Sequence, residues 1–407
     1  MISLIMLGAM INFLTRNALG VAAPTLLKDL VIGEKEYSWV TIAFQAALLL
    51  QPLSGLVLDR LGLKIGFAIF AMAWSLITMA HGLVEGLAGL IFLRGLLGLA
   101  EGCATPAGVK AVSVWFPARE RGLAGGVFNI GASVGSMAAA PLVGWAIRHY
   151  NWHAAFVITG ALGLLWVLAW LAFYDSPARH PALSSEEGNY ISTGQETHLK
   201  SGGERPSILR LARRRNFWGV ALPRFFADPM WGTLTYWMPL YLAKARGWDL
   251  KQIALFAWLP FLAADLGCLW SGTLAFWLQN RGIRLINARR WTFTCGACLM
   301  TGVAFVGFVP SPAAAIFLLC LGGFAHQTLS ITAITMSSDL FKQGEVATVA
   351  GMAGTCGNLA VLIFNALIGV YVTHIGYSPF FVAVVVFDYI GAVLLWTLVR
   401  EPAPTSS

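Results

Sequence analysis

The sequence predicts an all-α integral membrane protein with twelve transmembrane helices in two six-helix halves. Of its 407 residues, 57% are hydrophobic and only 11% are charged, whereas a soluble domain carries about 25% charged residues. The mean hydropathy is +0.71. Apolar windows of about 20 residues, the length at which a helix crosses a bilayer, recur twelve times along the chain. One long polar segment separates the first six windows from the last six.

The predicted spans define the domain organisation. Those of the first half are 3–25, 37–57, 65–82, 84–109, 121–145 and 152–173. Those of the second half are 217–243, 253–278, 291–309, 313–336, 346–373 and 379–399. The polar segment between the halves is too short and too polar for a catalytic domain. We therefore expect an N-terminal bundle at 1–173, a cytoplasmic linker at 174–215 and a C-terminal bundle at 216–407.

The distribution of lysine and arginine predicts the orientation. If Met1 is cytoplasmic, the cytoplasmic segments hold 18 of these residues and the outer loops hold 6. Cytoplasmic loops carry the excess of positive charge in membrane proteins, so both termini are expected inside a bacterial inner membrane. Topology thus accounts for the net charge of +8, and no nucleic-acid partner is expected.

Four ionisable residues lie deep inside the predicted spans: Arg16, Arg94, Glu101 and Arg224. A charge in hydrocarbon costs about 3 kcal/mol or more unless it faces a cavity or a partner. Chains keep such groups where they move something charged. Three cations and one acid therefore predict transport of an anionic solute together with a proton.

Two short loops at matching places in the halves carry a family pattern. The sequence GLVLDRLGLK runs from Gly55 to Lys64 between the second and third spans, and NRGIR occupies Asn280–Arg284 between the eighth and ninth. They resemble the signature loop of the major facilitator superfamily. The resemblance implies that the halves are repeats with the substrate between them at the bilayer midplane. It also implies that Gly55, Asp59, Arg60 and Lys64 belong to a gate.

A narrower resemblance covers nearly the whole chain. The matching segments are NFLTRN at 12–17, AAPTL at 22–26, RGLLGLAEG at 94–102, WFPARER at 115–121, ALPRFF at 221–226, FLAADLGC at 261–268 and GGFAHQ at 322–327. They are similar to the anion:cation symporter branch, and three of them resemble the bacterial hexuronate transporters, which import glucuronate and galacturonate with protons. Many members of the wider branch carry aspartate where this chain has Thr15, so the role of that carboxylate does not carry over.

Arg16 is the first candidate for binding the substrate carboxylate. A planar guanidinium can hold a carboxylate through two parallel hydrogen bonds in a poorly hydrated site. Asn12 lies one turn earlier and Phe13 lies nearby, and both are expected in the same site. The alternative is a structural arginine bonded to backbone carbonyls.

Glu101 is the candidate proton carrier, with Arg94 seven residues earlier on the same predicted helix. Burial favours the protonated form of a carboxyl group and a neighbouring cation favours the carboxylate. Small residues flank Glu101 and let a ligand, water or another helix approach. A structural anchor is the alternative for Glu101, and a structural or charge-balancing role for Arg94. If Glu101 is the sole acid, one proton moves with one monoanion and the cycle transfers no net charge.

The second half offers further polar candidates. Arg224 precedes Asp228 by four residues, so an internal ion pair and direct substrate contact both remain open. Side chains that could bind sugar hydroxyls are Asn129, His326, Gln327 and Asn358. Asp265 is expected near the cavity, and Asp388 in helix packing.

The remaining motifs argue against an enzyme. The chain has no glycine-rich phosphate loop, zinc-protease motif or serine-nucleophile motif, and its six cysteines fall in predicted spans, where disulfides are not expected. We expect no metal or cofactor. The expected partners are a small sugar acid, a proton and the lipid bilayer, and the chain is expected to be monomeric. A carrier of another sugar acid such as an aldonate or glucarate, an anion exchanger, an intramembrane enzyme and a sensor remain alternatives.

Overall fold

The computed structural model describes residues 1–32, 34–181, 183–195, 207–248, 252 and 256–401, and these residues form helices without β-strands. The first-half helices are α1 (Ile2–Asp29), α2 (Glu34–Leu48), α3 (Gln51–Leu61), α4 (Leu63–Ala80), α5 (Leu87–Glu101), α6 (Ala104–Trp115), α7 (Arg121–His149) and α8 (Trp152–Phe173). The linker contains α9 (Ser185–Thr193) and α10 (Ile208–Ala212). The second-half helices are α11 (Arg215–Ala227), α12 (Pro229–Gly232), α13 (Met238–Arg246), α14 (Leu259–Asn280), α15 (Leu285–Met300), α16 (Pro312–Leu340), α17 (Val346–Ile375) and α18 (Ser378–Leu398).

Helices occupy all twelve predicted windows, but not every span is one straight helix. Among the described residues, nine helices are long and apolar enough to cross a membrane, or ten when the pair α2 and α3, bent by 43°, counts as one span. The other two windows hold interrupted helices. The seventh breaks at Asp228 and continues through a π-helical turn at Thr233–Trp237, and the ninth ends in a 3₁₀ turn at Thr301–Phe305. The first residues of the predicted eighth span, 253–255, lie outside the described residues.

Helix boundaries follow local sequence signals. Gly62, with φ 82°, separates α3 from α4 inside the signature loop, a backbone conformation that favours glycine. The Asn151 side chain accepts a hydrogen bond from the Ala154 amide at 2.8 Å and so caps the start of α8. Span four is interrupted at Gly102 and Cys103, between α5 and α6. Glu101 is therefore the last residue of α5, directly before a break.

An aromatic stack holds part of the first half together. Phe67 on α4 packs against the Trp166 ring with 5.1 Å between centroids, Trp166 stacks on Trp170 at 5.2 Å, and Trp170 stacks on Tyr174 at 3.9 Å. Such pairs stabilise by about 0.5–1.5 kcal/mol beyond their buried area. The Trp166 indole N–H also donates to the Leu4 carbonyl, and the Trp170 indole N–H donates to the Lys64 carbonyl, both at 3.0 Å. These contacts join α1, α4 and α8.

The two halves meet along helix pairs α3–α17 and α7–α14. A Cβ atom at Gly126 of α7 would lie 2.7 Å from the Cys268 carbonyl oxygen of α14, and one at Gly351 of α17 would lie 2.7 Å from the Gln51 carbonyl oxygen of α3. Glycine is thus needed for the backbones to approach this closely. Glycine also allows close packing within the first half, because Gly135 of α7 packs on the Met10 backbone of α1.

Candidate functional site

An ion pair joins the first candidate cation to the candidate proton carrier. Arg16 on α1 donates from Nε to Glu101 Oε2 at 3.0 Å. The Glu101 side chain is fully buried, whereas 26% of the Arg16 side chain is exposed. The buried carboxylate therefore contacts an arginine that remains reachable from outside the protein core.

Neighbouring side chains orient this pair. Thr15 donates its hydroxyl to Glu101 Oε1 at 3.1 Å, and Asn12 accepts from Arg16 Nη2 at 3.4 Å. The guanidinium carbon lies 4.5 Å from the Phe13 ring centroid and 5.4 Å from that of Phe44, within cation–π range. Thr15 occupies the position where many members of the wider branch carry aspartate. Here its hydroxyl binds the Glu101 carboxylate, and the position itself contributes no acid to the site.

Arg94 lies behind the ion pair and is almost fully buried. It donates from Nη2 to the Arg16 carbonyl oxygen at 3.4 Å, and its Nε has no hydrogen-bond partner among the described residues. Its guanidinium also lies 5.4 Å from the Phe44 ring centroid. Two arginines and one glutamate leave this cluster with a formal charge of +1 when all three are ionised. That charge complements a monoanion.

The second half contains its own ion pair, within the seventh span. Arg224 donates from Nε to Asp228 Oδ2 at 3.2 Å, and both side chains are mostly buried, with 13% and 12% exposed. The i, i+4 interpretation of this pair is therefore confirmed. Substrate contact by Arg224 stays a prediction.

The four predicted hydroxyl-binding residues are spread over the halves. His326 is buried, with Nδ1 3.1 Å from the Ala227 carbonyl oxygen and its ring stacked on Trp231 at 5.6 Å. Gln327 is buried beside it, while Asn129 on α7 and Asn358 on α17 are half-buried. His326 thus has a structural contact within the second half, and its binding of a sugar hydroxyl stays a prediction.

The predicted gate residues divide into two groups. Asp59 accepts from the backbone N–H of Thr348 at 2.8 Å and from the Thr348 hydroxyl at 2.7 Å, both in the second half. It also accepts from Lys110 Nζ of its own half at 2.6 Å. Gly55 lies against the Ala347 carbonyl so closely that a Cβ atom would collide with it. Both residues therefore contact the opposite half directly.

The other two loop residues face away from the opposite half. Arg60 is exposed, and Lys64 pairs with Asp175 at 3.1 Å, after the last helix of its own half. The Ser176 amide and Lys64 hold the pKa of the Asp175 carboxyl below its ordinary value. The basic residues of the loop thus do not pair with Asp59, whose cation is Lys110.

A buried three-residue network across the halves escaped the sequence reasoning. Asp339 at the end of α16 accepts from Arg121 Nη1 of the first half at 3.2 Å and from Arg289 Nε at 2.9 Å. All three side chains are at most 2% exposed. In the sequence, both arginines stand out only as charges at or just before the start of a predicted span. The observed α15 begins before its predicted span and so includes Arg289, and α16 continues past its predicted end and so includes Asp339.

Two more polar contacts cross between the halves near the middle of the bundle. Ser133 on α7 donates to Asp265 Oδ1 on α14 at 2.5 Å, so Asp265 is buried against the opposite half. Gln45 donates from Nε2 to the Tyr236 hydroxyl at 3.2 Å, and the Tyr236 ring lies within electrostatic range of Arg16. Tyr236 was not predicted, and it lies in the π-helical turn, an irregularity frequent at functional sites that is visible only in the structure.

These contacts locate the closed side of the molecule. Among the described residues, the polar contacts between the halves run from the end that carries Met1 and Glu401 to the middle of the bundle. The Arg214–Glu345 pair at 2.7 Å adds a contact between the linker and this same end. The structure is therefore a state closed at the end that carries Met1 and Glu401.

Charged side chains dominate the site. Among the described residues, no group of three or more histidine, cysteine, aspartate or glutamate side chains could hold a metal ion, and the six cysteines are unpaired. The acids of the site are paired with arginines, Glu101 with Arg16 and Asp228 with Arg224, and these groups can exchange partners when a charged ligand enters.

Comparison with known proteins agrees with this geometry. Residues 5–288 and 284–407 match the Major Facilitator Superfamily. The chain is 46% identical over 404 residues to a hexuronate transporter of Escherichia coli strain K12, covering 98% of this chain and 94% of the relative. It is 47% identical over 319 residues to a galacturonate transporter of Dickeya chrysanthemi, covering 78% and 92%. Among solved structures, the proton:xylose symporter bound to 6-bromo-6-deoxy-D-glucose shares the fold, with a TM-score of 0.73, 14% identity and coverage of 98% and 95%.

Proposed function

Because the chain belongs to the major facilitator superfamily, whose members are transporters and not enzymes, we propose that it imports hexuronates with protons. The substrates would be glucuronate and galacturonate. The relatives from Escherichia coli and Dickeya chrysanthemi support this substrate class, with 46% identity over 98% of this chain and 47% identity over 78% of it. The observation that carries the proposal is the partly exposed Arg16 guanidinium, held by the buried carboxylate of Glu101.

Arg16 supplies the carboxylate recognition. Its two hydrogen bonds, to Glu101 and Asn12, use two of its five N–H donors. The remaining donors can form the parallel pair of bonds that a planar carboxylate accepts. The formal +1 charge of the Arg16, Arg94 and Glu101 cluster adds attraction for a monoanion. Asn129, His326, Gln327, Asn358 and Arg224 are proposed to contribute to the hydroxyl side of the site.

Glu101 supplies the proton coupling by competing for the same arginine. While Glu101 is ionised, it holds Arg16 at 3.0 Å and weakens the attraction of Arg16 for a second carboxylate. Protonation removes the negative charge and releases the guanidinium for the hexuronate. The solute therefore binds best to the protonated carrier, which is the requirement for symport. Arg94 keeps a positive charge beside the site throughout.

The gate sits at the closed end. The excess of lysine and arginine places this end in the cytoplasm, so we assign the structure to a state closed towards the cytoplasm. Gly55 and Asp59 hold the halves together there, and Arg60 and Lys64 belong to the same loop without touching the other half. We take 1–173 and 216–407 as the units that rock about the site, with 174–215 as the linker, in a monomer of the bacterial inner membrane.

Uptake into proteoliposomes tests the proposal. Labelled glucuronate or galacturonate should accumulate when the outside is acidic, and unlabelled hexuronate inside should drive exchange without any proton gradient. A competition panel should show that hexuronates displace the label and that neutral hexoses do not. Stronger competition by an aldonate or glucarate would assign the chain to another sugar acid. Exchange without any response to the gradient would assign it to the exchangers.

A further inference from the structure

The second half contains a buried carboxyl group to which the proposed mechanism gives no role. Asp388 lies in the middle of α18 and is 0% exposed. Neither of its side-chain oxygens has a hydrogen-bond partner among the described residues. An ionised carboxylate in such a place would be very unfavourable without a paired cation. This geometry favours a neutral, protonated acid.

The helix α11, which packs along α18, carries Arg224, and Asp228 follows directly after its last residue. Asp228 lies within electrostatic range of Asp388 and is itself paired with Arg224 at 3.2 Å. The three residues contain one permanent cation and two carboxyl groups. A single proton therefore balances their charge, and two carboxyl groups that share one proton titrate as a unit.

We call Arg224, Asp228 and Asp388 the triad. The other titratable groups around the triad do not add a second permanent charge to it. His326 on α16 lies within electrostatic range of both Arg224 and Asp228, and its Nδ1 contacts the Ala227 carbonyl. Cys356 on α17 lies within range of Arg224. On the α15 side of α18, the Tyr389 hydroxyl bonds to Thr301 at 2.8 Å.

Two arginines of neighbouring helices contact the C-terminal end of α18, away from Asp388. Arg290 on α15 donates to the Val399 carbonyl at 2.6 Å, beyond the end of α18, and its guanidinium lies over the Trp396 ring. Arg215 on α11 donates to the Thr397 carbonyl in the last turn of α18. Both arginines are therefore engaged about two turns or more from Asp388.

The triad also touches the contact between the halves. Gly354 of α17 lies between Gln51 of the first half and Arg224 of the second. A Cβ atom at Gly354 would collide with the Gln51 side-chain oxygen and would lie 3.6 Å from Arg224 Nη1. Gly357, one turn further, packs directly on the Asp228 carboxylate. Separation of α3 from α17 would therefore change the surroundings of Arg224 and Asp228.

We propose that Arg224, Asp228 and Asp388 form a second proton-binding site, distinct from Glu101, which takes up and releases one proton in each transport cycle. This inference rests on the proposed function. Asp388 holds the proton while Arg224 is paired with Asp228. Asp228 lies at the edge of the contact between the halves and connects the site to water. The proton enters from one side of the membrane and leaves on the other as the halves rock.

The stoichiometry follows from counting charges. One proton at Glu101 and one at the triad accompany one hexuronate monoanion, so each cycle carries one net positive charge inwards. The electroneutral cycle expected from Glu101 alone is thereby replaced by a voltage-driven one. A membrane potential of about 100 mV, negative inside, then supports an accumulation of about 50-fold without any pH gradient.

The test measures accumulation of labelled glucuronate in proteoliposomes under a valinomycin-set potential and, separately, under a pH gradient. The wild-type protein should respond to both. Asp388→Asn and Asp228→Asn should each lose the response to voltage and keep a response to the pH gradient, because either change balances the charge of the remaining pair without a proton. Tyr389→Phe, beside Asp388 on α18, should behave as wild type.

The outcomes separate this proposal from the proposed function. If the wild-type protein does not exchange hexuronate in counterflow, the proposed function fails. If it exchanges hexuronate but shows no accumulation under voltage alone, the triad proposal fails, whatever the variants do. A voltage response in Asp388→Asn equal to that of wild type also overturns it. Should both asparagine variants fail to fold, infrared spectroscopy of Glu101→Gln, which lacks the Glu101 carboxyl, must still show a protonated carboxyl band that changes upon hexuronate exchange, and its absence contradicts the triad.

Discussion

The contact between Asp59 and Thr348 makes a sharp prediction about transport. Asp59 is the one acidic residue of the signature loop, and it accepts two hydrogen bonds from Thr348 of the opposite half at 2.8 and 2.7 Å. Lys110, its ion-pair partner, belongs to its own half. Asp59→Asn keeps the size of the side chain and removes the charge. The variant should therefore weaken the closed state relative to the open state while leaving the binding cluster around Arg16 unchanged.

The magnitude follows from the hydrogen bonds that cross the halves. A hydrogen bond to a charged group contributes about 1.5–3 kcal/mol, and the two from Thr348 together contribute about 3–6 kcal/mol. The asparagine oxygen can still accept one bond, so the loss should be about 3 kcal/mol. Since 1.4 kcal/mol changes an equilibrium constant tenfold, the ratio of closed to open states should fall about 100-fold. Hexuronate uptake should fall strongly because the cycle no longer visits the closed state readily.

Two measurements decide this prediction. Calorimetry should give a hexuronate affinity within a few-fold of wild type, while uptake into proteoliposomes drops. Distances between spin labels at Leu61 and Arg281, both exposed at the closed end, should shift towards the open state in a cysteine-free background. Arg60→Gln is the matched control, because Arg60 is the next residue and is exposed. Wild-type uptake and unchanged label distances in Asp59→Asn, at normal expression, would refute the reasoning.

Three further predictions concern the site and the contact between the halves. Arg16→Lys keeps the charge but loses the paired donors, so hexuronate binding should weaken roughly tenfold or more in calorimetry, and an unchanged affinity in Arg16→Ala would exclude the assignment. In wild type, the affinity for hexuronate should rise as pH falls, because protonation of Glu101 releases Arg16. The variant Glu101→Gln should bind hexuronate without this pH dependence, retain counterflow and accumulate less hexuronate under a pH gradient. A preserved pH dependence of binding in this variant would count against the role of Glu101. Gly55→Ala should impair uptake because its Cβ atom meets backbone that cannot swing aside, whereas Gly95→Ala, with nothing within 4 Å, should not; equal uptake by the two variants would show that this close approach is dispensable.

The spans and the local ion pair followed from the sequence because each depends on residues close together in the chain. Each of the twelve hydropathy windows contains helix among the described residues, and Arg224 and Asp228 are about one helical turn apart. The Arg16–Glu101 contact joins residues 85 positions apart. Helical spacing says nothing about which faces of α1 and α5 meet, so only the structure could show that these two candidates form a pair.

The buried Arg121–Asp339–Arg289 network marks the limit of sequence reasoning. Arginines at the ends of spans serve mostly as topological charge, and nothing local distinguishes one that turns inwards. Arg121 and Asp339 lie 218 positions apart and meet only because the halves close. The unpartnered carboxyl of Asp388 was likewise visible in the sequence only as a polar residue in an apolar helix.

The bend between α2 and α3 has a consequence for solvent. At the break, the Leu53 amide bonds to the Leu50 carbonyl, and the Leu49 carbonyl accepts instead from the Thr355 hydroxyl of the opposite half at 2.8 Å. When the halves separate here, this carbonyl loses that donor and requires a water molecule, because lipid cannot supply one. Hydration of one broken helical turn is therefore tied to each opening, and agents that lower water activity should slow that step more than they weaken substrate binding.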